Sequence, residues 1–507
     1  MQQKNPIIVG LDIGTTKIAA IAGRKNEYGK LEILGFGRAD SNGVNHGMVL
    51  NIEETIRSIN IAIENCIQSN PNLNIHDVYV GIAGQHIKSL QKRGERVINN
   101  PDEEIRKEDI EALIKDQQKT FIPNNDQIID IISQDFTVDT HTGFSLNQVI
   151  GMTGVRIGAN FHIVTGDKSA IRNIYRCVQR ANLNIKDLVL QPLASAAAVM
   201  CSEDLESGVA IVDIGGGTTD LAVFHDGMLK HTAVIPIAGV NITNDIRQGL
   251  GVLKAHAEIM KVKYGMALAD EAQSNAFISI PGLKGQEHKE ISVKNLARII
   301  QSRMEEILDY VIYHIKQMGL EEKLHGGIIL TGGGSQLKHL KQLTEFKTGM
   351  PARIGLPNEH LNKGHIQDLI NPMYSTCIGL ILRGYDDYEN NRLRFSSNNT
   401  EEVTIVQQEY QPEIASPAFE PSVNDILDSE FGNTSNEDKT INNQEQQNEI
   451  ITEPVQDNFQ SAENETKEEE ENADRMNSKA KTISNIFKTV KNKVIYWFEN
   501  IDDDKLN

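Results

Sequence analysis

Asp12, Gly14, Thr15, Thr16 and Lys17 form a short loop whose residue types suit one kind of chemistry. The loop lies between two apolar runs that are typical of strands, so it is predicted to be a tight hairpin. Glycine lets a ligand approach the backbone, and backbone N–H groups and threonine hydroxyls can bind phosphate oxygens. Turns of this composition are common, so one alone is weak evidence for phosphate binding.

A second loop of the same kind lies about 200 residues later, again between two apolar runs. Its residues are Asp213, Gly215, Gly216, Gly217, Thr218 and Thr219. Two such hairpins are expected of an internally duplicated fold in which one loop from each lobe holds a polyphosphate. Because carboxylates readily hold Mg²⁺ through its water molecules, Asp12 and Asp213 are the candidate metal-binding residues.

A third glycine-rich loop, Gly332, Gly333, Gly334 and Ser335, follows the apolar run 327–330. We predict that a helix begins near Gln336 and that a base or ribose lies against the glycine backbone at its N-terminus. The chain has no GxxxxGK[ST] motif, and no GxGxxG opens a helix after the first strand, so neither a P-loop nor a dinucleotide-binding fold is indicated. The order of the three loops is more specific than any one of them.

The elements that must position these loops follow an α/β pattern over residues 1 to about 385 of the 507. Short apolar runs predict strands at Ile7–Asp12, Val78–Ala83, Val209–Asp213 and Gly327–Leu330. Apolar residues at helical spacing predict helices at Ile52–Cys66, Ile171–Arg180 and Leu296–Gln317. A chain of this length favours a two-lobed body with appendages.

The formal net charge of −20 is concentrated in one segment. Residues 401–474 hold 21 acidic residues against two lysines, Lys439 and Lys467. Residues from 390 to about 475 are too poor in apolar side chains to form a core, and we predict a disordered acidic spacer. Such a charge would repel nucleic acid and anionic lipid, but its location matters more than its size; no nucleic-acid partner is expected.

The compartment is expected to be the cytoplasm. The N-terminus has no basic stretch followed by a cleavage site, and the chain contains no uncharged apolar run of about 18 residues. Cys66, Cys177, Cys201 and Cys377 are scattered without CxxC spacing, so they are predicted to be reduced core thiols.

Beyond the spacer, large apolar residues recur at helical spacing and fall within an arc of roughly 120°. They are Ile483, Ile486, Phe487, Val490, Val494, Trp497 and Phe498. Lysines flank this stripe and charges interrupt every turn, so the helix is predicted to lie in a membrane surface rather than to cross the membrane. A groove on a partner protein is the alternative.

DIGTTK, DIGGGTTD and TGGGS resemble the phosphate-1, phosphate-2 and adenosine motifs of the superfamily of actin, sugar kinases and heat-shock ATPases. Over residues 5 to 385, and in particular at 78–84 and 235–239, the chain resembles the FtsA family of bacterial cell-division proteins. The resemblance implies an α/β, actin-like bilobed fold with two duplicated RNase-H-like lobes and an extra FtsA-type subdomain. It also implies ATP and Mg²⁺ as cofactors.

The resemblance extends to individual residues. Gln191 matches the position that orients the attacking water, although glutamine is a poor base. Glu258 and Lys261 match the acid and lysine that contact the ribose; both could instead simply face solvent. Arg303 and Glu306 lie on the helix that matches the surface for the C-terminal peptide of the tubulin-like protein FtsZ, but an ordinary ion pair within the helix explains them equally well.

The expected organisation follows from these assignments. The ranges are 1–84 for the first lobe with its phosphate loop, 85–165 for the inserted subdomain, 166–205 for the rest of the first lobe, 206–388 for the second lobe, 389–478 for the acidic linker and 479–500 for the membrane-binding helix. The linker is longer than the connector usual in the family.

The function implied by the resemblance is an ATP-binding protein that assembles with itself and tethers the FtsZ ring to the cytoplasmic face of the membrane at the division site. It would help to recruit later division proteins and would be at most a slow ATPase. A sugar or carboxylate kinase of the same fold remains an alternative, as does another actin-like cytoskeletal ATPase. A heat-shock chaperone fits less well, because acidic spacer stands where a β-rich substrate domain is expected.

Overall fold

The computed structural model describes residues 5–98, 104–281, 287–362 and 367–390. The predicted acidic linker, apart from its first two residues, and the predicted membrane-binding helix with its seven apolar residues lie outside these ranges.

Strands and helices are numbered in chain order. The strands are β1 (Ile8–Ile13), β2 (Lys17–Lys25), β3 (Leu31–Asp40), β4 (Val44–Asn45), β5 (Met48–Val49), β6 (Asp77–Ile82), β7 (Lys88–Val97), β8 (Asp126–Val138), β9 (His141–Phe144), β10 (Arg156–Asp167), β11 (Asn184–Leu190), β12 (Val209–Ile214), β13 (Thr219–His225), β14 (Met228–Ile235), β15 (Phe277–Ile280), β16 (Lys289–Ser292), β17 (Gly327–Thr331) and β18 (Ala352–Ile354). The helices are α1 (Ile52–Ser69), α2 (Lys107–Asp116), α3 (Leu146–Val149), α4 (Lys168–Arg180), α5 (Gln191–Val199), α6 (Ser202–Ser207), α7 (Gly239–Leu250), α8 (Lys254–Tyr264), α9 (Val293–Gln317), α10 (Leu340–Thr348) and α11 (Ser375–Asn390).

Two five-stranded sheets share one topology. The first has the order β3-β2-β1-β6-β11 and the second the order β14-β13-β12-β17-β18. In each, three antiparallel strands are followed by two parallel ones. The central strands β1 and β12 are buried along their whole length, as expected of strands covered on both faces. The repeated order confirms the predicted duplicated α/β architecture.

The last described helix, α11, returns to the first lobe. Cys377, Ile381 and Tyr385 belong to the core under the first sheet. The helix lies so close to α5 that a Cβ on Gly379 would clash with the backbone of Ala194. The boundaries expected from the sequence placed this segment in the second lobe, but its apolar face packs on the first sheet.

A third, four-stranded antiparallel sheet has the order β7-β10-β8-β9 and a core of its own, with α2 and α3. It meets the second lobe at β14 through polar contacts. His162 Nε2 and Thr232 Oγ1 are 2.8 Å apart, and Lys230 Nζ is 3.1 Å from Asp135 Oδ1. These polar contacts join the inserted sheet to the second lobe.

All four cysteines are free, and Cys66, Cys177 and Cys377 are buried while Cys201 is half-buried. Burial raises the pKa of the Cys66 and Cys177 thiols to about 11, so both are protonated at neutral pH. Among the described residues, none of the helices combines the length and apolar character needed to cross a membrane.

Candidate functional site

The two predicted phosphate loops are hairpins with the same backbone geometry. In the first, the N–H of Gly14 donates to the carbonyl of Lys17 over 3.0 Å. In the second, the N–H of Gly215 donates to the carbonyl of Thr218 over 2.9 Å. Each loop follows the buried central strand of its sheet, so the duplicated topology places the two loops at equivalent positions.

The loops from the two lobes touch each other. A Cβ on Gly216 would clash with the side chain of Thr16, and a Cβ on Gly217 would clash with that of Thr15. Glycine is therefore required at both positions for this close approach. The structure brings together the threonines of the first loop and the glycines of the second, although they are about 200 residues apart in the sequence.

Lys17 and Gln191 both contact the carboxylate of Asp12. Lys17 Nζ lies 2.9 Å from Asp12 Oδ2, and Gln191 Nε2 donates to Oδ1 over 3.0 Å. Burial alone would lower the pKa of Lys17, but the nearby carboxylates, chiefly Asp12, outweigh it and the pKa is raised. The side chain is therefore a buried ammonium that holds Asp12 in place.

Asp213, the matching residue of the second loop, accepts hydrogen bonds from two hydroxyls. Ser195 Oγ donates to its Oδ2 over 2.5 Å and Thr376 Oγ1 over 3.1 Å. Burial, together with the charge of Asp12, raises the pKa of Asp213 despite these bonds. Asp213 and Asp220 are opposite each other on the neighbouring strands β12 and β13. Burial, and to a smaller extent the negative charge of Asp213, raises the pKa of Asp220 well above its usual range.

These three buried carboxylates fit a hydrated divalent cation. Lys17 is paired with Asp12, and the Oδ1 atom of Asp220 is buried without a hydrogen-bond partner among the described residues. No group of three side chains in the described ranges is arranged to ligate a metal directly. Mg²⁺ keeps most of its waters and is held through one or two carboxylates and by phosphate oxygens, and Asp12 and Asp213 supply such carboxylates.

The third loop also reaches the second hairpin. Gly332 has a φ of 80°, and a Cβ there would clash with the carboxylate of Asp213. Ser335 is buried and its Oγ donates to the carbonyl of Gly332 over 2.8 Å. The α-helix predicted near Gln336 is wrong: Gly333–Gln336 form a short 3-10 helix, and α10 begins only at Leu340. Left-handed backbone at His339, with φ 61°, separates the two segments.

Glu258 and Lys261 form one hydrogen-bonded cluster on the second lobe. Lys261 Nζ lies 2.8 Å from Glu258 Oε2, 2.9 Å from Thr243 Oγ1 and 3.0 Å from the carbonyl of Gly239. The N–H of Gly239 in turn donates to the carbonyl of Gly215 over 3.2 Å. The cluster therefore adjoins the second phosphate loop, and Lys261 is largely buried rather than solvated.

Arg303 and Glu306 belong to a different cluster, on α9. Arg303 binds Asp245 of α7 through two nitrogens, at 2.6 and 2.9 Å, and also contacts Glu306. Bidentate pairing of this kind fixes the guanidinium plane. The predicted partner-binding pair is thus tied to the body of the second lobe, with Glu306 the more exposed of the two.

Sequence reasoning missed several residues of the cleft. His46 is at the tip of the β4–β5 hairpin, and its Nδ1 is 2.8 Å from the carbonyl of Gly217. Asp220 ends the motif of the second loop, and Thr376 comes from α11, 163 residues after Asp213. Only Asp220 had a local signal, because it follows the second glycine loop in a strand.

Two family models match the chain. The model described as "Cell division protein FtsA" matches residues 210–379, and the one described as "SHS2 domain inserted in FTSA" matches residues 84–165. The second range contains most of the antiparallel sheet that β7 to β10 form.

Individual relatives and structures agree with these matches. The chain is 39% identical to the cell division protein FtsA of Pseudomonas aeruginosa over 382 residues, which is 75% of this chain and 90% of that one. It is 37% identical to the FtsA of Neisseria meningitidis over 383 residues, covering 75% and 91%. A solved PilM-PilN type IV pilus biogenesis complex is similar in fold, with a TM-score of 0.56 at 15% identity over 74% of this chain and 98% of the other.

The likeness in fold, with two equivalent sheets and an inserted antiparallel sheet, is that of an actin-like protein. With identity well above 30% over most of the length of its relatives, the chain belongs to the FtsA family of cell-division proteins.

Proposed function

We propose that this division protein binds ATP with Mg²⁺ in the cleft between its two duplicated lobes. The observation that carries the proposal is the direct contact between the glycines of one hairpin and the threonines of the other. Backbone N–H groups and hydroxyls of the two loops would hold the phosphates, and Lys17 would contribute its ammonium.

The remaining predicted residues complete the nucleotide site. Asp12 and Asp213 would hold Mg²⁺ through its waters, which neutralises phosphate charge. Glu258 and Lys261 would contact the ribose, and the segment 332–335 would contact the base. Gln191 has no basic atom and at present donates to Asp12, so it could orient water but not deprotonate it. Hydrolysis should be slow or absent.

Nucleotide binding would serve assembly rather than chemistry. A ligand that contacts both lobes favours the closed arrangement of the body by its differential affinity for that arrangement. We propose that this closed form assembles with itself in an actin-like manner.

The assembled protein would tether the tubulin-like FtsZ to the cytoplasmic face of the membrane at the division site and help recruit later division proteins. Membership of a family of division proteins supports this role. Arg303 and Glu306 would take part in binding the FtsZ C-terminal peptide. The apolar stripe from Ile483 to Phe498 would hold the membrane surface, and several tails on one polymer would bind more firmly than one.

Titration calorimetry of the full chain with ATP tests the nucleotide site. The wild-type chain should bind ATP in the presence of Mg²⁺ and much more weakly with a chelator. Asp213→Asn should lose most of the dependence on Mg²⁺, whereas Asp270→Asn, at a fully exposed carboxylate, should not. Equal affinity with and without Mg²⁺ would overturn the proposed metal role.

Sedimentation with vesicles tests the tether separately. The full chain should co-sediment with vesicles that contain anionic lipid, and a chain lacking residues 480–507 should stay in the supernatant. Co-sedimentation of the shortened chain at the wild-type level would remove the role assigned to the terminal stripe.

A further inference from the structure

Helix α4 carries four basic side chains along one exposed face. They stand four residues apart, at Lys168, Arg172, Arg176 and Arg180. At 100° per residue this spacing keeps them within an arc of about 120°, and at 1.5 Å per residue it extends them over about 18 Å. The helix contains no acidic residue. Its exposed side, called the α4 basic face below, is therefore a row of positive charge.

The opposite side of α4 belongs to the core of the first lobe. Ile171, Ile174 and Val178 are buried there. The remaining exposed residues of the helix, Ser169 and Gln179, are polar. The helix cannot insert its apolar residues into another phase without leaving the first lobe, so the α4 basic face offers charge alone.

Three of the four cations keep their charge uncompensated by an ion pair. Arg180 pairs with Glu53 of α1 at 2.7 Å, but Lys168 Nζ donates only to the carbonyl of Asn124, over 2.7 Å. Among the described residues, neither Arg172 nor Arg176 has an ion-pair partner. The nearby carboxylate of Asp167 is occupied as the cap of α4, where it accepts from the backbone N–H groups of residues 169 and 170.

A face of this composition fits anionic lipid headgroups better than it fits a protein. Binding energy between proteins is concentrated in buried aromatic or aliphatic anchors, and the α4 basic face has no exposed apolar residue. Basic residues clustered on one side of an amphipathic helix are typical of contact with an anionic membrane surface. Such contact needs charge and no pocket.

The overall negative charge of the chain does not oppose this contact. Nearly all of the net charge of −20 lies in residues 401–474, outside the first lobe. Interactions between exposed charges fade beyond about 8–10 Å at physiological salt, so the potential beside α4 is set by the residues around it.

We propose that the α4 basic face is a second membrane contact, which brings the first lobe against anionic lipid headgroups once the terminal stripe has attached the chain. The proposal rests on the proposed membrane tether. About 90 residues separate Asn390 from Ile483, so the tether alone leaves the distance between body and membrane open. The α4 basic face is too weak to attach the body by itself, but after tethering its contact is intramolecular and gains from effective concentration.

Binding of the full chain to vesicles of phosphatidylglycerol and phosphatidylcholine tests the proposal, at about 0.05 M and about 0.5 M salt. The test variant is Arg172→Gln with Arg176→Gln, which removes two exposed charges and keeps good helix formers. The matched control is Lys254→Gln with Lys263→Gln, which removes two charges from exposed positions of α8. All variants should keep the wild-type thermal midpoint in circular dichroism.

The test variant should bind about ten- to thirtyfold more weakly than wild type at low salt, from about fivefold for each cation at an anionic surface. The difference should vanish at high salt, and the control should stay within about twofold of wild type. Arg172→Lys with Arg176→Lys should bind like wild type, because the contact requires charge rather than the guanidinium fork.

Equal vesicle binding by the test variant and wild type, with binding still lost on removal of residues 480–507, would overturn the inference and leave the tether intact. If that variant bound vesicles normally but lost affinity for soluble polyglutamate, the occupant would be an acidic polypeptide and the lipid contact would be wrong. A lysine variant as weak as the glutamine variant would show that charge is not the cause. A wild-type chain that fails to bind vesicles would remove the tether and this inference together.

Discussion

Replacing Lys17 with methionine tests the charge balance of the cleft. Methionine keeps most of the length and apolar stem of lysine but removes the ammonium. Lys17 and Asp12 are both well buried, at 14% and 6% side-chain exposure, and Asp213 and Asp220 lie close to them. The variant would therefore leave Asp12 without the cation that is paired with it, beside two further buried acids.

The expected loss is about 3 kcal/mol in the free energy of unfolding at pH 7.5. Removing one partner of a buried ion pair costs about 3–5 kcal/mol, and the hydrogen bond from Gln191 to Asp12 partly compensates. Lys25→Met is the matched control, because its partner Glu389 is half exposed and such surface pairs contribute about 0–1 kcal/mol.

Urea unfolding followed by circular dichroism measures both variants. The deficit of Lys17→Met should shrink at pH 5, because protonated carboxylic acids no longer repel one another. A deficit below 1 kcal/mol, or one that is unchanged between the two pH values, would refute the charge-balance reasoning.

Three further outcomes are expected. Burial, reinforced by the charge of His231, lowers the pKa of His162 from 6.5 to about 4. The folded protein therefore keeps its full stability above pH 6.5 and loses up to about 3 kcal/mol as pH falls towards 4. His162→Gln should flatten this acid side of the plot of unfolding free energy against pH. Gly379→Ala should force α11 away from Ala194 and lower the thermal midpoint, with a loss of about 1–3 kcal/mol. Glu306→Gln should weaken binding of the FtsZ C-terminal peptide in fluorescence anisotropy by more than twofold with an unchanged midpoint, since Arg303 keeps its bidentate partner; unchanged affinity would remove Glu306 from that surface.

The hairpins could be predicted because their signals are local. Asp12 and Asp213 each end an apolar run, and the glycines and threonines that follow exclude a continuous strand. The repetition of the motif then indicated two equivalent lobes, which the matching strand orders confirm. Alternating apolar runs also located the main strands and the helices α1, α4 and α9 to within a few residues.

The structural features that could not be predicted depend on contacts between distant parts of the chain. The apolar face of α11 does not specify which sheet it covers, so its return to the first lobe is visible only in the packing of Gly379 on α5. His46 and Thr376 acquire their places in the cleft from elements far from the loops they touch. After the third loop, left-handed backbone at His339 delays the helix, and histidine, although enriched at positive φ, adopts that conformation too rarely for the sequence to predict it.

Hydrogen exchange of the two loops at once tests most directly whether both lobes hold one nucleotide. On adding Mg·ATP to the full chain, peptides covering Asp12–Lys17 and Asp213–Thr219 should gain protection together, with the same dependence on ATP concentration. Protection of only one loop, or of neither at saturating Mg·ATP, would contradict a shared triphosphate site.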